Sequence, residues 1–171
     1  RDNIIFFYPS GSSYYKNHYL IVKACDRLVK KGYNNFTIIF TLKGNETSHI
    51  SNLYEEVKNK NLPIKFLGEI DREQVFDYYS SSILLFPSYI ETFGLPLLEA
   101  KLHGSIILAS KTPFSEDILS DYPNAKYFNP FNHEELVMLM EEILNDKFNY
   151  KKTVKSFEHN INHSLIHEIL K

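Results

Sequence analysis

Apolar residues along this chain follow two alternating patterns. Short, mostly apolar or β-branched and aromatic runs occupy positions 3–8, 36–42, 64–67, 83–86, 106–109 and 125–128, the one at 83–86 without any polar alternation. Such runs are how strands buried on both faces of a parallel sheet read. Between them the apolar positions recur with helical spacing. Leu20, Ile21, Ala24, Leu28 and Val29 mark a helix over 17–31 that stops at Gly32. A turn at 43–46 leads into a helix over 47–59, and Asp71 with Gln74 three residues on forms a capping-box pattern for a helix to about Ser80. Pro96 suits the first position of a helix over 96–103, with Leu98 and Leu102 facing the sheet and Gly104 ending it. A short helix over 113–119 follows, and Asn132 caps one over 134–144 whose stripe of Leu136, Leu139, Met140, Ile143 and Leu144 is core.

Six strands alternating with helices predict an α/β fold, a doubly wound (Rossmann-like) parallel sheet of about six strands with helices on both faces. In that class ligands bind at the carboxyl ends of the strands. The loops after strands one to four would then share one edge.

The 171 residues suffice for a single domain. The net charge of −2 carries no electrostatic footprint for nucleic acid. Cys25 is the only cysteine, so no internal disulfide is possible; it reads as a helix core residue. No apolar run approaches the roughly 18 to 20 residues that span a bilayer, and no signal peptide opens the sequence. A cytoplasmic protein is the expectation. The chain starts at Arg1 and enters a strand almost at once, so it reads as a piece of a longer polypeptide. The tail over 146–171 is polar and reads as one or two helices, with His159, His163 and His167 on one face. No carboxylate or cysteine completes a convincing metal site there, and these histidines read as solvated or partly buried helix residues.

Chemistry concentrates between positions 83 and 110. After the fourth strand a loop carries Glu91, then Gly94, then the helix that begins near Pro96. The N–H groups around Gly94 and Leu95 lack intrahelical partners and sit at the positive end of the helix dipole, which suits a phosphate. Glu91 precedes that position and Glu99 lies one turn into the helix. Carboxylates can each accept two hydroxyls, as sugar diols present them. Paired glutamates near a helix start also arise as capping and dipole-compensating residues.

The segment Pro87-Ser88-Tyr89-Ile90-Glu91-Thr92-Phe93-Gly94-Leu95-Pro96-Leu97-Leu98-Glu99-Ala100 resembles the Glu-x7-Glu signature of retaining glycosyltransferases of family 4, also called glycosyl transferases group 1. Thr92 stands where glycine is usual, and Ile106 where a proline usually follows the glycine. The resemblance implies the C-terminal, donor-binding half of a GT-B fold. It implies that Glu91, the catalytic candidate, contacts the donor sugar, that Glu99 holds the ribose, and that the Phe93, Gly94 and Leu95 backbone meets the diphosphate. In the family an arginine about five residues ahead of a lysine, in the loop after the first strand, also contacts the diphosphate. Here Lys16 keeps the lysine register, while Ser10 or Gly11 occupies the arginine's place. Lys16 would stabilise the leaving diphosphate electrostatically; otherwise it is a solvated lysine.

The 67–75 segment is similar to the family's Leu-Gly stretch, which places the nucleotide base on the main chain of Gly68, Glu69 and Ile70. Lys43 and Gly44 are secondary candidates. Glu116 and Pro130 match further family positions. The donor would be a nucleoside-diphosphate sugar. No Asp-x-Asp motif is present, so no metal or other cofactor is expected. Family members place the acceptor site in an N-terminal domain, which this chain lacks, and the full-length protein is expected to be capable of peripheral membrane association. A non-catalytic GT-B-like partner subunit and a GT-B nucleotide-sugar epimerase are the alternative readings, the first favoured by the missing arginine.

Overall fold

The computed structural model describes residues 2–148. The expected tail helices, and the face formed by His159, His163 and His167, lie outside the described residues. Six parallel strands form one sheet: β1 (Ile4–Tyr8), β2 (Phe36–Phe40), β3 (Ile64–Phe66), β4 (Ile83–Phe86), β5 (Ile106–Ser110) and β6 (Ala125–Phe128), in the order β3-β2-β1-β4-β5-β6. The apolar runs form strands because helices cover both faces, so side chains pointing either way leave water. All four residues of β4 are buried, as are Phe6, Phe7 and Tyr8 of β1.

The helices are α1 (His18–Lys30), α2 (Ser48–Asn59), α3 (Arg72–Ser81), α4 (Leu95–Leu102), α5 (Pro113–Ile118) and α6 (His133–Leu144). Helix α1 packs on α2 and α6, and α3 and α5 pack on α4, which gives one helical layer on each face. Cys25 is fully buried in α1, where burial pushes its thiol well above the ordinary value. The sequence signals for helix ends hold. Asp71 Oδ1 accepts from Gln74 N at 2.8 Å, Gln74 Oε1 accepts from Asp71 N at 3.1 Å, and Asn132 caps α6.

Three details differ from expectation. A 3₁₀ turn over Tyr14–Lys16 precedes α1, and Asn17 between them is left-handed (φ 63°). Asparagine tolerates that region better than most residues. Helix α4 begins at Leu95, one residue before Pro96, directly after Gly94 at φ 59°. Leu98 and Leu102 do not face the sheet. They are 38% and 46% exposed, while Leu97 and Ala100 are fully buried. An eight-residue helix with leucines on several sides has no unique apolar stripe. Its phase is fixed by Gly94, whose backbone lies against Ile118 of α5, and by Glu99, which turns inward toward α3.

Candidate functional site

Because every strand is parallel, the loops following β1 to β4 all emerge at one edge. The loop after β1 is fixed from below and from the side. Tyr8 donates its hydroxyl to the Lys16 carbonyl at 2.8 Å, and burial pushes its phenol well above the ordinary range, so it stays a donor. Asn17 Nδ2 donates to the carbonyls of Pro87 (3.1 Å) and Pro130 (2.8 Å). Tyr89 N donates to the Tyr15 carbonyl at 3.2 Å, and the Ser88 hydroxyl donates to the Ile90 carbonyl at 3.0 Å. Ser110 in turn donates its hydroxyl to the Ser88 carbonyl.

This stitching brings Lys16 and Glu91 together, 75 residues apart in sequence: Lys16 Nζ is bonded to Glu91 Oε1. The pair is largely sheltered, with side chains 21% and 10% exposed. Just beyond it Gly94 opens α4. A side chain there would need a left-handed backbone and would put Cβ 2.7 Å from Ile118 Cδ1. Gly94 is buried, and the N–H groups of Gly94 and Leu95 precede the first intrahelical bonds of α4, whose own carbonyls cannot reach them. Phe93 beside them is 83% exposed.

Glu99 is 6% exposed and doubly held. Arg72 Nη2 donates to its Oε1 at 2.7 Å and the Tyr79 hydroxyl donates to its Oε2 at 3.2 Å. Burial, and then the Glu99 carboxylate beside it, push the Tyr79 phenol well above its ordinary value. Each of the two predicted acids thus has a cationic partner, Lys16 for Glu91 and Arg72 for Glu99.

Further along the edge lies a cavity of about 500 Å³. Ser10 and Gly11 from the first loop, Lys43 and Glu46 from the second, and Glu69 and Ile70 from the third line it. Gly68, at φ 74°, turns the chain into that third loop, and its N–H donates to the Leu42 carbonyl at 2.9 Å. The predicted residues therefore fall into three groups: Lys16, Glu91 and the start of α4; Glu99 with Arg72 and Tyr79; and Glu69 and Ile70 with Lys43. Ser10 and Gly11 occupy the cavity where the resemblance expects an arginine, and Lys43 is the cation among the cavity residues named.

Several participants were missed in the sequence. Arg72 and Tyr79 meet Glu99 only through the packing of α3 on α4, and no local pattern announces it. The Glu46 carboxylate takes the N–H groups of Lys43 (2.5 Å), Gly44 (3.0 Å) and Asn45 (3.0 Å). Burial opposes its ionisation, but those backbone donors outweigh burial and hold its pKa below the usual range. Gly44 followed by Asn45, a turn pair, was the signal available in the sequence, and Gly44 indeed sits at φ 99°. His18, 3% exposed, is the first residue of α1 and packs between the rings of Tyr8 and Phe40, each 4.9 Å away, with its Nε2 3.3 Å from the Ser10 hydroxyl.

Comparison with known proteins follows the same outline. A family model described as glycosyl transferases group 1 matches residues 1–162. A 41.2 kDa uncharacterized protein of the cps region of Klebsiella pneumoniae is 25% identical over 104 residues, 60% of this chain and 28% of that protein. Among solved structures, sucrose-phosphate synthase from Thermosynechococcus elongatus superposes with a TM-score of 0.72 at 23% identity, over 85% of this chain and 37% of that one. Anabaena HepE in complex with UDP-glucose gives 0.71 at 20% identity, over 84% and 40%. The C-terminal domain of a glycosyl transferase group 1 family protein from Francisella tularensis gives 0.70 at 22% identity, over 85% and 76%. The chain thus spans well under half of the curated relative and of the first two solved proteins.

Proposed function

The chain belongs to the glycosyl transferases group 1 family, and from that premise we propose that it is the donor-binding half of an enzyme that moves a sugar from a nucleoside diphosphate to an acceptor, with retention at the anomeric carbon. The observation that carries this reading is the sheltered Lys16–Glu91 pair, its glutamate three residues ahead of Gly94 at the N-terminus of α4. Cleavage of the donor leaves negative charge on the departing diphosphate. Lys16 and the N–H groups of Gly94 and Leu95 meet that charge in fixed positions, without reorganisation at the moment of reaction. Phe93 contributes its backbone to the same turn. Glu91, held by Lys16, accepts hydroxyls of the sugar and orients it, so that one lysine links the sugar contact to the leaving group.

Glu99 accepts from the ribose, and the main chain of Gly68, Glu69 and Ile70 contacts the base, Glu69 and Ile70 bordering the cavity that takes it. Charge compensation comes from Lys16 and the helix start, so the reading assigns no role to a metal ion. A second, N-terminal domain supplies the acceptor site. A role in polysaccharide synthesis is supported by the relative in the cps region of Klebsiella pneumoniae.

Calorimetric titration with UDP, GDP and ADP and with their sugar conjugates tests the reading. One of the diphosphates binds, and the chain by itself transfers no sugar. Absence of binding by all three would leave a non-catalytic partner subunit as the better account, and transfer by the chain alone would overturn the division of labour between two domains.

A further inference from the structure

Glu99, buried in the second turn of α4, is already engaged on both oxygens. A carboxylate offers about four lone-pair positions. Arg72 occupies one on Oε1 and Tyr79 one on Oε2. One position is left on each oxygen, which matches two neighbouring hydroxyls donating one hydrogen bond apiece. A sugar that lacks one of those hydroxyls would leave one sheltered lone-pair position unfilled on an oxygen that keeps only its protein donor, an omission that weakens binding.

Both partners come from α3, not from the helix that carries Glu99, and both are set by packing. Arg72 opens α3 within the Asp71–Gln74 capping box, and its guanidinium lies 4.9 Å from the centre of the Phe76 ring. Tyr79 is 1% exposed and wedged against the rings of Phe7 (5.9 Å) and His103 (5.7 Å). The main chain of Glu99 is tied down separately, its carbonyl accepting from His103 Nδ1 at 2.7 Å.

We propose that Arg72 and Tyr79 are the positioning pair that turns Glu99 into a reader of the ribose diol, so that the site selects ribonucleotide over 2′-deoxyribonucleotide donors. The proposal rests on the nucleotide-sugar reading above. Neither residue touches the ligand; each acts through Glu99.

The test is the ratio of two affinities, not either alone. UDP, GDP and ADP are titrated into the chain by calorimetry, and the tightest is compared with its 2′-deoxy form. The unaltered chain favours the ribonucleotide by about tenfold or more, the scale of one hydrogen bond to a charged group. Arg72→Gln, at a half-exposed position that tolerates the change, brings the ratio within about twofold of unity. Tyr79→Phe lowers it part of the way, Arg72→Lys restores part of it, and Glu99→Gln abolishes it.

A merely structural role for Arg72 and Tyr79 would weaken both nucleotides together and leave the ratio standing. That result, with Glu99→Gln alone removing the preference, would overturn the proposal while sparing the site. A parent chain that binds a diphosphate but shows no preference for the ribose would overturn the assignment of Glu99 and this proposal with it. A parent chain that binds none of the three would overturn the nucleotide reading itself.

Discussion

Lowering the pH from 7 to 5 should destabilise this chain chiefly through His18. Burial against Tyr8 and Phe40, followed by the nearby His49 and Lys16 and opposed by Glu46, lowers its pKa from 6.5 to about 3. The folded state therefore keeps the imidazole neutral over a range in which the unfolded chain takes up a proton. Stability is complete above pH 6.5 and declines as the pH falls toward 3. At pH 5 the unfolded state gains about 2 kcal/mol from protonation that the native state does not share. With a urea dependence of about 2 kcal/mol per molar, the unfolding midpoint falls by roughly 1 M between pH 7 and 5.

The assay is urea denaturation at pH 7, 6 and 5, run beside His18→Phe. Phenylalanine keeps the ring packing and removes the titration, so its absolute stability differs but its slope against pH flattens. The carboxylates of Asp26, Glu56 and Asp121, whose pKa values lysine partners hold down, lose their contribution mainly below about pH 4.5 and do so equally in both proteins. Parallel midpoint curves for the two proteins would refute the reasoning, because they would mean that His18 titrates alike in the folded and unfolded states.

Leu97→Ala should cost about 2 to 5 kcal/mol by opening a cavity, whereas Leu98→Ala, at a 38% exposed position, should cost under about 1 kcal/mol; thermal melts of the pair decide which leucine faces the core. Gly94→Ala forces a left-handed alanine toward Ile118 and should remove about 1 to 2 kcal/mol, lowering the melting temperature by roughly 2 to 8 °C. Lys16→Met leaves Glu91 without its partner at the phosphate position. It should weaken whichever of UDP, GDP and ADP binds by about tenfold or more while leaving the matching nucleoside unchanged, and equal losses for both in calorimetry would remove Lys16 from the diphosphate.

The strands were legible because burial on two faces imposes an uninterrupted apolar run, and Ile83–Phe86 is that pattern in four residues. Caps were legible for the same local reason: Asp71 and Gln74 satisfy each other within four residues. The phase of α4 was not, since Leu95, Leu97, Leu98 and Leu102 allow more than one inward face and the decision belongs to Ile118, Arg72 and Tyr79, all distant in sequence. Of the candidate site, the register of Glu91, Gly94 and Glu99 could be read from spacing. The cations that balance the two acids are set by loop and helix contacts spanning 75 and 27 residues, and Lys16 was anticipated only as a phosphate ligand, not as the partner of Glu91.

The strand order also bears on how the chain is made. Strand β1 ends with one edge against β2 and the other against β4, yet Phe7 meets Ile39 after 32 residues and Leu84 only after 77. During synthesis β1 and β2 can pair around α1 early, while the other flank of β1, three fully buried side chains long, waits bare until Ile83–Phe86 leaves the ribosome. A nascent chain paused before that point presents an open template for intermolecular strand addition, so holdase chaperones should engage it there and release it once the fourth strand docks.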